Sequence, residues 1–132
     1  MSLVSNDQAR KEFEEFLNEK KISPSKRKTN ESATEELIEA LSEGNFIISP
    51  DKCTMKLRFP IESGDFPIQE LHLKKRITAG DVHPFLKHVM PQDIDGRYQA
   101  YMCALSGQFL NVVRKLESGD YDLLRSYVAF FI

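Results

Sequence analysis

The sequence predicts an α+β fold with N-terminal helices, a two-stranded antiparallel β-hairpin and a C-terminal helical bundle. Three observations lead there. Cys53, Met55, Leu57 and Phe59 alternate with Thr54, Lys56, Arg58 and Pro60, the two-residue period of a strand with one wet face. On either side of the hairpin, apolar residues recur at helical spacing instead. Two stretches, Ser5-Asn-Asp-Gln8 and Ser32-Ala-Thr-Glu35, fit capping boxes and mark helix starts.

With 132 residues the chain has room for one core and a short appendage. Hydrophobic residues at 41% against charged residues at 29% are the balance of a globular rather than a disordered chain. No apolar stretch reaches bilayer length. The opening Met-Ser-Leu-Val-Ser-Asn-Asp has neither the basic start nor the apolar run of a secretory signal, so a cytoplasmic protein is expected. Cys53 and Cys103 sit in apolar patterns and read as buried thiols rather than a disulfide. The net charge of −2 is unevenly spread: residues 31–51 carry six acidic and no basic groups, and residues 52–76 carry six basic against three acidic. No part has the sustained positive surplus of a nucleic-acid binder.

Taken in order, Ala9, Phe13, Phe16 and Leu17 make the apolar stripe of a first helix, which ends near Lys21 and needs a partner. Ile22 to Asn30 is polar, basic and aperiodic. It reads as a flexible linker, the other reading being a nucleic-acid patch. Residues 1–30 are thus an amphipathic helix and basic linker, and residues 31–132 a single α+β domain. Leu37, Ile38 and Leu41 form the next helical face, with Gly44 as its C′ residue and a short β-like run after Asn45.

The hairpin spans residues 53–76. Its second strand starts in phase with Phe66 and Ile68 and resumes with Leu71 and Leu73, so a bulge is expected near Gln69–Glu70. Ser63-Gly64-Asp65 is the turn. Pro60 and Pro67 suit edge positions and discourage pairing with further strands. The helical bundle occupies residues 78–132. Its first stripe is Val82, Phe85, Leu86, Val89 and Met90, with Thr78 or Asp81 as N-cap; Pro84 argues for the later start, because its missing donor costs nothing in a first turn. Tyr98, Tyr101, Met102 and Leu105 follow. Phe109, Val112, Val113 and Leu116 continue beyond Ser106-Gly107, and Leu124, Tyr127, Val128 and Phe131 close the chain.

Reaction chemistry finds little footing. His72 belongs on the wet face of its strand, and His83 and His88 are five apart rather than at the four-residue spacing of a helical metal pair. No Cys-x-x-Cys or His-Glu-x-x-His accompanies them, so neither a metal nor a cofactor is expected. Asp93, Asp95, Asp120 and Asp122 read as helix caps and dipole partners. Ser106-Gly107 lacks the Gly-x-Ser-x-Gly of a nucleophile elbow. A helix-turn-helix around Met102 to Leu110 would read bases only with Asn111, Arg114 and Lys115, and core packing accounts for that stretch better.

What stands out is apolar excess at the C-terminus. Leu124, Tyr127, Val128 and Phe131 form one stripe while Leu123, Phe130 and Ile132 lie off it, more than a small domain commonly buries. Leu123, Leu124, Tyr127, Val128, Phe130 and Phe131 are therefore candidate partner-binding residues. The competing reading is that residues 1–21 fold back over them.

Leu71-His-Leu73, Lys74-Lys75-Arg76, Thr78-Ala-Gly-Asp81, Leu105-Ser-Gly107, Leu116 and the Asp120 to Phe131 segment occur in a telling order. In that order and spacing, residues 53–132 resemble the phage tail assembly chaperones of the tail protein E type. Ile77 stands where that family commonly has proline, and residues 1–52 are longer than its usual lead-in. The resemblance implies a non-enzymatic protein that coats the tape measure protein in the host bacterial cytoplasm, self-associates, and is displaced as tail tube subunits polymerise. A small DNA-binding regulator of phage or prophage origin is the alternative from another class.

Overall fold

A computed structural model of the chain describes residues 4–62 and 64–132. Ser63 of the expected turn lies outside the described residues, as do the first three residues of the stretch weighed for a signal. Among the described residues there are seven helices and three strands. They run α1 (Asn6–Glu19), α2 (Pro24–Thr29), α3 (Glu31–Glu43), β1 (Phe46–Ile48), β2 (Lys52–Ile61), β3 (Ile68–Lys74), α4 (Ala79–Leu86), α5 (Ile94–Ser106), α6 (Leu110–Val113) and α7 (Ser118–Val128). None of these helices is long and apolar enough to cross a membrane.

The α+β class holds, with three strands rather than two. The β-like run after Asn45 is β1, which pairs antiparallel with Cys53–Met55 at the end of β2 away from Pro60, giving the order β1-β2-β3. Pro60 and Pro67 therefore do not obstruct it. Alternation along β2 and β3 is as expected except at Thr54, which is buried, and at Phe59, which the irregularity in β2 leaves exposed. Cys53, Met55, Leu57, Leu71 and Leu73 are buried, while Lys56, Arg58, Glu70 and His72 are exposed.

The register irregularity lies opposite the position expected for it. Lys56 pairs with Glu70 and Ile61 with Ile68, so the surplus residues between them belong to β2, facing Gln69. The cause is Asp120, in the first turn of α7. Its buried carboxylate accepts hydrogen bonds from the backbone N–H of Arg58 (3.1 Å) and Phe59 (3.2 Å), and Pro60 has no N–H to offer the ladder. The same carboxylate lies at the positive end of the α7 dipole.

The helix ends explain most departures from the sequence reading. Ser5 caps α1 as expected, accepting from Gln8 N. Residues 22–30, expected as a linker, contain α2 instead: Ser23 caps it, accepting from Lys26 N, and Pro24 stands at a helix start, where a proline is tolerated. The chain passes through Asn30 almost directly into α3, so Ser32 lies inside that helix rather than capping it. Glu35 serves elsewhere, receiving both terminal nitrogens of Arg10 at 3.0 and 2.9 Å. Gly44 ends α3 at φ 79°, as a C′ glycine should. Helix α4 takes the earlier of its two starts. Thr78 Oγ1 accepts from Asp81 N while Asp81 Oδ2 accepts from Thr78 N, a reciprocal capping box that outweighs Pro84 sitting in the second turn.

One main core joins α1, α3, the sheet, α5 and α7, and a small second cluster of Val82, Ala100 and Ala104 lies between α4 and α5. Ala9, Phe13, Phe16 and Leu17 of α1 pack with α3 residues Leu37, Ile38 and Leu41, the inner face of the sheet, Met102 and Leu105 of α5, and Leu124, Tyr127 and Val128 of α7. The segment expected as an appendage thus supplies two of the largest fully buried side chains, Phe13 and Phe16.

Two outcomes check these assignments by urea unfolding. Phe13→Ala lowers stability by about 3–5 kcal/mol, the cost of emptying a buried aromatic site; an appendage would lose nearly nothing. Asp120→Ala costs about 2–4 kcal/mol by stranding two backbone donors, whereas exposed Asp122→Ala stays within about 0.5 kcal/mol.

Candidate partner-binding surface

The structure removes most of the expected C-terminal surface. Leu124, Tyr127 and Val128 are fully buried and Phe130 is 2% exposed; Leu123 and Phe131 are half-buried. Helix α1 covers them, as in the competing reading. Phe13 meets Phe130 edge-on with ring centroids 5.6 Å apart, Phe16 stacks on Tyr127 at 6.0 Å, and Phe46 of β1 closes the other side at 5.7 Å. The Lys20 ammonium lies 3.8 Å from the centre of the Phe131 ring. Lys26 Nζ donates to Ile132 O at 2.8 Å and Asn30 Nδ2 to Ala129 O at 3.4 Å, which pins the end of the chain under α2. Off-stripe residues such as Phe130 are buried because α1 supplies a second apolar wall, which periodicity within α7 does not reveal.

Exposed apolar surface lies elsewhere. Phe66 (81%) and Phe59 (59%) stand towards the free end of the hairpin, and Phe109 (74%), Met90 (60%), Ile94 (60%) and Leu110 (38%) surround the α4–α5–α6 region. Of the second group, Leu110 lines a groove of about 530 Å³, and Met90, Ile94 and Phe109 each adjoin one of its lining residues in sequence. Phe85 and Val89 form one wall, Ala100 and Cys103 of α5 line it, and Leu110 and Arg114 of the α6 region form the other wall.

Local sequence builds this groove. Helix α4 stops at Leu86, and Pro91 disfavours helical geometry at its predecessor Met90, so Val89 and Met90 lie outside the helical stripe they were expected to share. Asp93 caps α5, its carboxylate accepting from Gly96 N at 2.9 Å. A side chain on Gly96 would meet that carboxylate at 2.5 Å and Val89 at 3.0 Å, so glycine lets the loop close onto the helix. Gly107, at φ 70°, ends α5. Phe109 then precedes α6 in extended conformation and points out of the stripe that Val113 and Leu116 keep buried. Two of the acidic groups near the groove are committed: Asp93 to its cap, and Asp95 to Arg125 at 2.9 Å.

His72, His83 and His88 are all exposed and do not converge; His72 lies 3.4 Å from Glu70, while His88 lines the groove. No three His, Cys, Asp or Glu side chains among the described residues are placed to hold a metal ion. Cys53 and Cys103 are free and buried, and burial pushes both thiols up to about 11. Burial likewise raises Tyr127, whose hydroxyl donates to Lys74 O at 2.8 Å. Asp120, expected as a helix cap or dipole partner, is the buried carboxylate that joins α7 to β2; only its partners across the fold distinguish it from Asp122.

The chain matches no protein-family model, no curated protein and no solved structure.

The thiols generate a pH dependence. Because the folded state holds both protonated to about 11, stability is full below the unfolded thiol pKa and falls as pH rises through the window up to the folded value. Ellman's reagent at pH about 8 leaves both thiols unreacted in the folded protein and titrates both in denaturant.

Proposed function

We propose that the chain is a non-enzymatic phage tail assembly chaperone, acting in the host bacterial cytoplasm, that holds an amphipathic helix of the tape measure protein in the groove between α4, α5 and α6. The observation that carries this reading is a cavity lined by Phe85, Val89 and exposed Leu110, with Met90, Ile94 and Phe109 exposed at positions next in sequence to its lining residues. Large apolar side chains held in water next to a concavity favour contact with another chain, at about 25 cal/mol for each Å² covered. An amphipathic helix offers anchors at three- and four-residue spacing that such a groove accepts.

The order of motifs from Leu71 to Phe131 supports the same assignment through the resemblance it creates. A contact built on a few exposed side chains, with the core left intact, also suits a client that tail tube subunits later displace. Phe59 and Phe66 offer a separate apolar surface for the self-association that the resemblance implies.

Co-expression with a tape measure protein tests the reading. The unaltered chain keeps the client in the soluble fraction, and the double variant Met90→Glu, Phe109→Asp loses most of that effect. Both sites are exposed, so the variant's own stability shifts by no more than about 1 kcal/mol. A client equally insoluble with and without the chain overturns the proposal; DNA affinity that falls steeply with salt points to the regulator instead.

A further inference from the structure

A cavity of about 700 Å³ opens where the C-terminal end of α1 meets the β1–β2 turn and the end of β3. Six cationic side chains line it, Lys20, Lys21, Lys52, Lys74, Lys75 and Arg76, against two carboxylates, Glu19 and Asp51. In a chain whose net charge is −2, this is a concentration of opposite sign. It shares no lining residue with the groove between α4 and α6.

The cations fall into two sets. Lys20 and Lys75 are built into the wall: Lys20 Nζ donates to Lys75 O at 2.8 Å, and Lys75 Nζ donates to Ser49 O at 3.0 Å and Pro50 O at 3.4 Å. Carbonyl partners satisfy donors without cancelling charge; of the two lining carboxylates, Glu19 lies 3.3 Å from Lys75, and Asp51 forms no ion pair among the described residues. Lys21, Lys52, Lys74 and Arg76 are the second set; among the described residues none of them pairs with a carboxylate. They extend from three different elements around one concavity. Lys20 is held below the usual lysine range, first by burial and then by repulsion from Arg76, as expected where like charges are crowded together.

We infer that this cavity binds a compact, multiply charged phosphate compound of the diphosphate or triphosphate class. Its volume falls within the range of small-molecule sites. Lysine ammonium groups act as dense point charges suited to phosphate oxygens, and Arg76 adds a planar fork for two of them. An acidic peptide spreads its charges at about 3.5 Å or more per residue along an extended chain, which matches a single convergent concavity poorly. Duplex DNA calls for a basic stripe. Here α3, the preceding helix, carries only acidic charge, and nearby Lys26 and Arg27 direct donors to Ile132 O, Ile22 O and the Asn18 side chain.

Calorimetric titration of the full chain at low ionic strength tests the inference, with inorganic tripolyphosphate, pyrophosphate and orthophosphate as probes. Saturable one-to-one binding is expected, tightening from orthophosphate to tripolyphosphate by about tenfold or more. Lys74→Glu with Arg76→Glu, both exposed, weakens tripolyphosphate binding at least about tenfold, and Lys21→Glu, just beyond the end of α1, weakens it independently. Lys87→Glu, outside the cavity, leaves it unchanged, and circular dichroism of each variant confirms that the fold is retained. The inference is overturned by absence of saturable binding, by equal weakening in Lys87→Glu, or by tighter binding of a Glu-rich peptide or duplex DNA than of tripolyphosphate.

Discussion

A single phenol ties the molecule together. Tyr127 is wholly buried, its ring flanked by Phe16 of α1, Phe46 of β1 and Phe131, and its hydroxyl satisfied by the carbonyl of Lys74 at the end of β3. A polar group this deep needs its partner, because an unpaired one costs several times what a typical paired bond contributes. That requirement fixes the depth at which α7 lies against the sheet, and the aromatic faces fix what may cover it. Asp120, two turns earlier, imposes a second constraint by holding Arg58 and Phe59 of β2. Between them, these two residues set the position of α7 on two strands.

Local rules made much of this legible. The strand period from Cys53 to Leu57, the Ser5 cap, the Gly44 and Gly107 terminators and the breaks around α6 all follow from chemistry within a few residues of each position. Where two local signals competed, tertiary partners decided. Ser32-Ala-Thr-Glu35 has the form of a capping box, yet Arg10 claims Glu35 and Asn30 already stands at the boundary. Basic residues 26–28 look like a solvated run, but Lys26, Arg27 and Asn30 all find backbone carbonyls, and those bonds help hold α2.

The exposed apolar surface was the least legible part, for a physical reason. Apolar content at the C-terminus is the same whether it faces a partner or α1. Only the position of Phe13 and Phe16 over Phe130 and Tyr127 separates the two outcomes, and that contact joins opposite ends of the chain. Phe109 errs the other way: periodicity places it in a stripe, and one extended residue before α6 turns it out to water. The basic cavity was equally hidden, since its lysines come from residues 20–21, 52 and 74–76, each run unremarkable alone.

The meeting of Phe13 with Phe130 also bears on biosynthesis. During synthesis helix α1 leaves the ribosome well before α7, so its aromatic stripe lacks its covering helix while the intervening residues are made. Contacts of such long sequence separation close slowly. Over that interval the nascent polypeptide carries a sticky helix, and the acidic stretch that follows it, residues 31–51, travels beside it as a soluble escort.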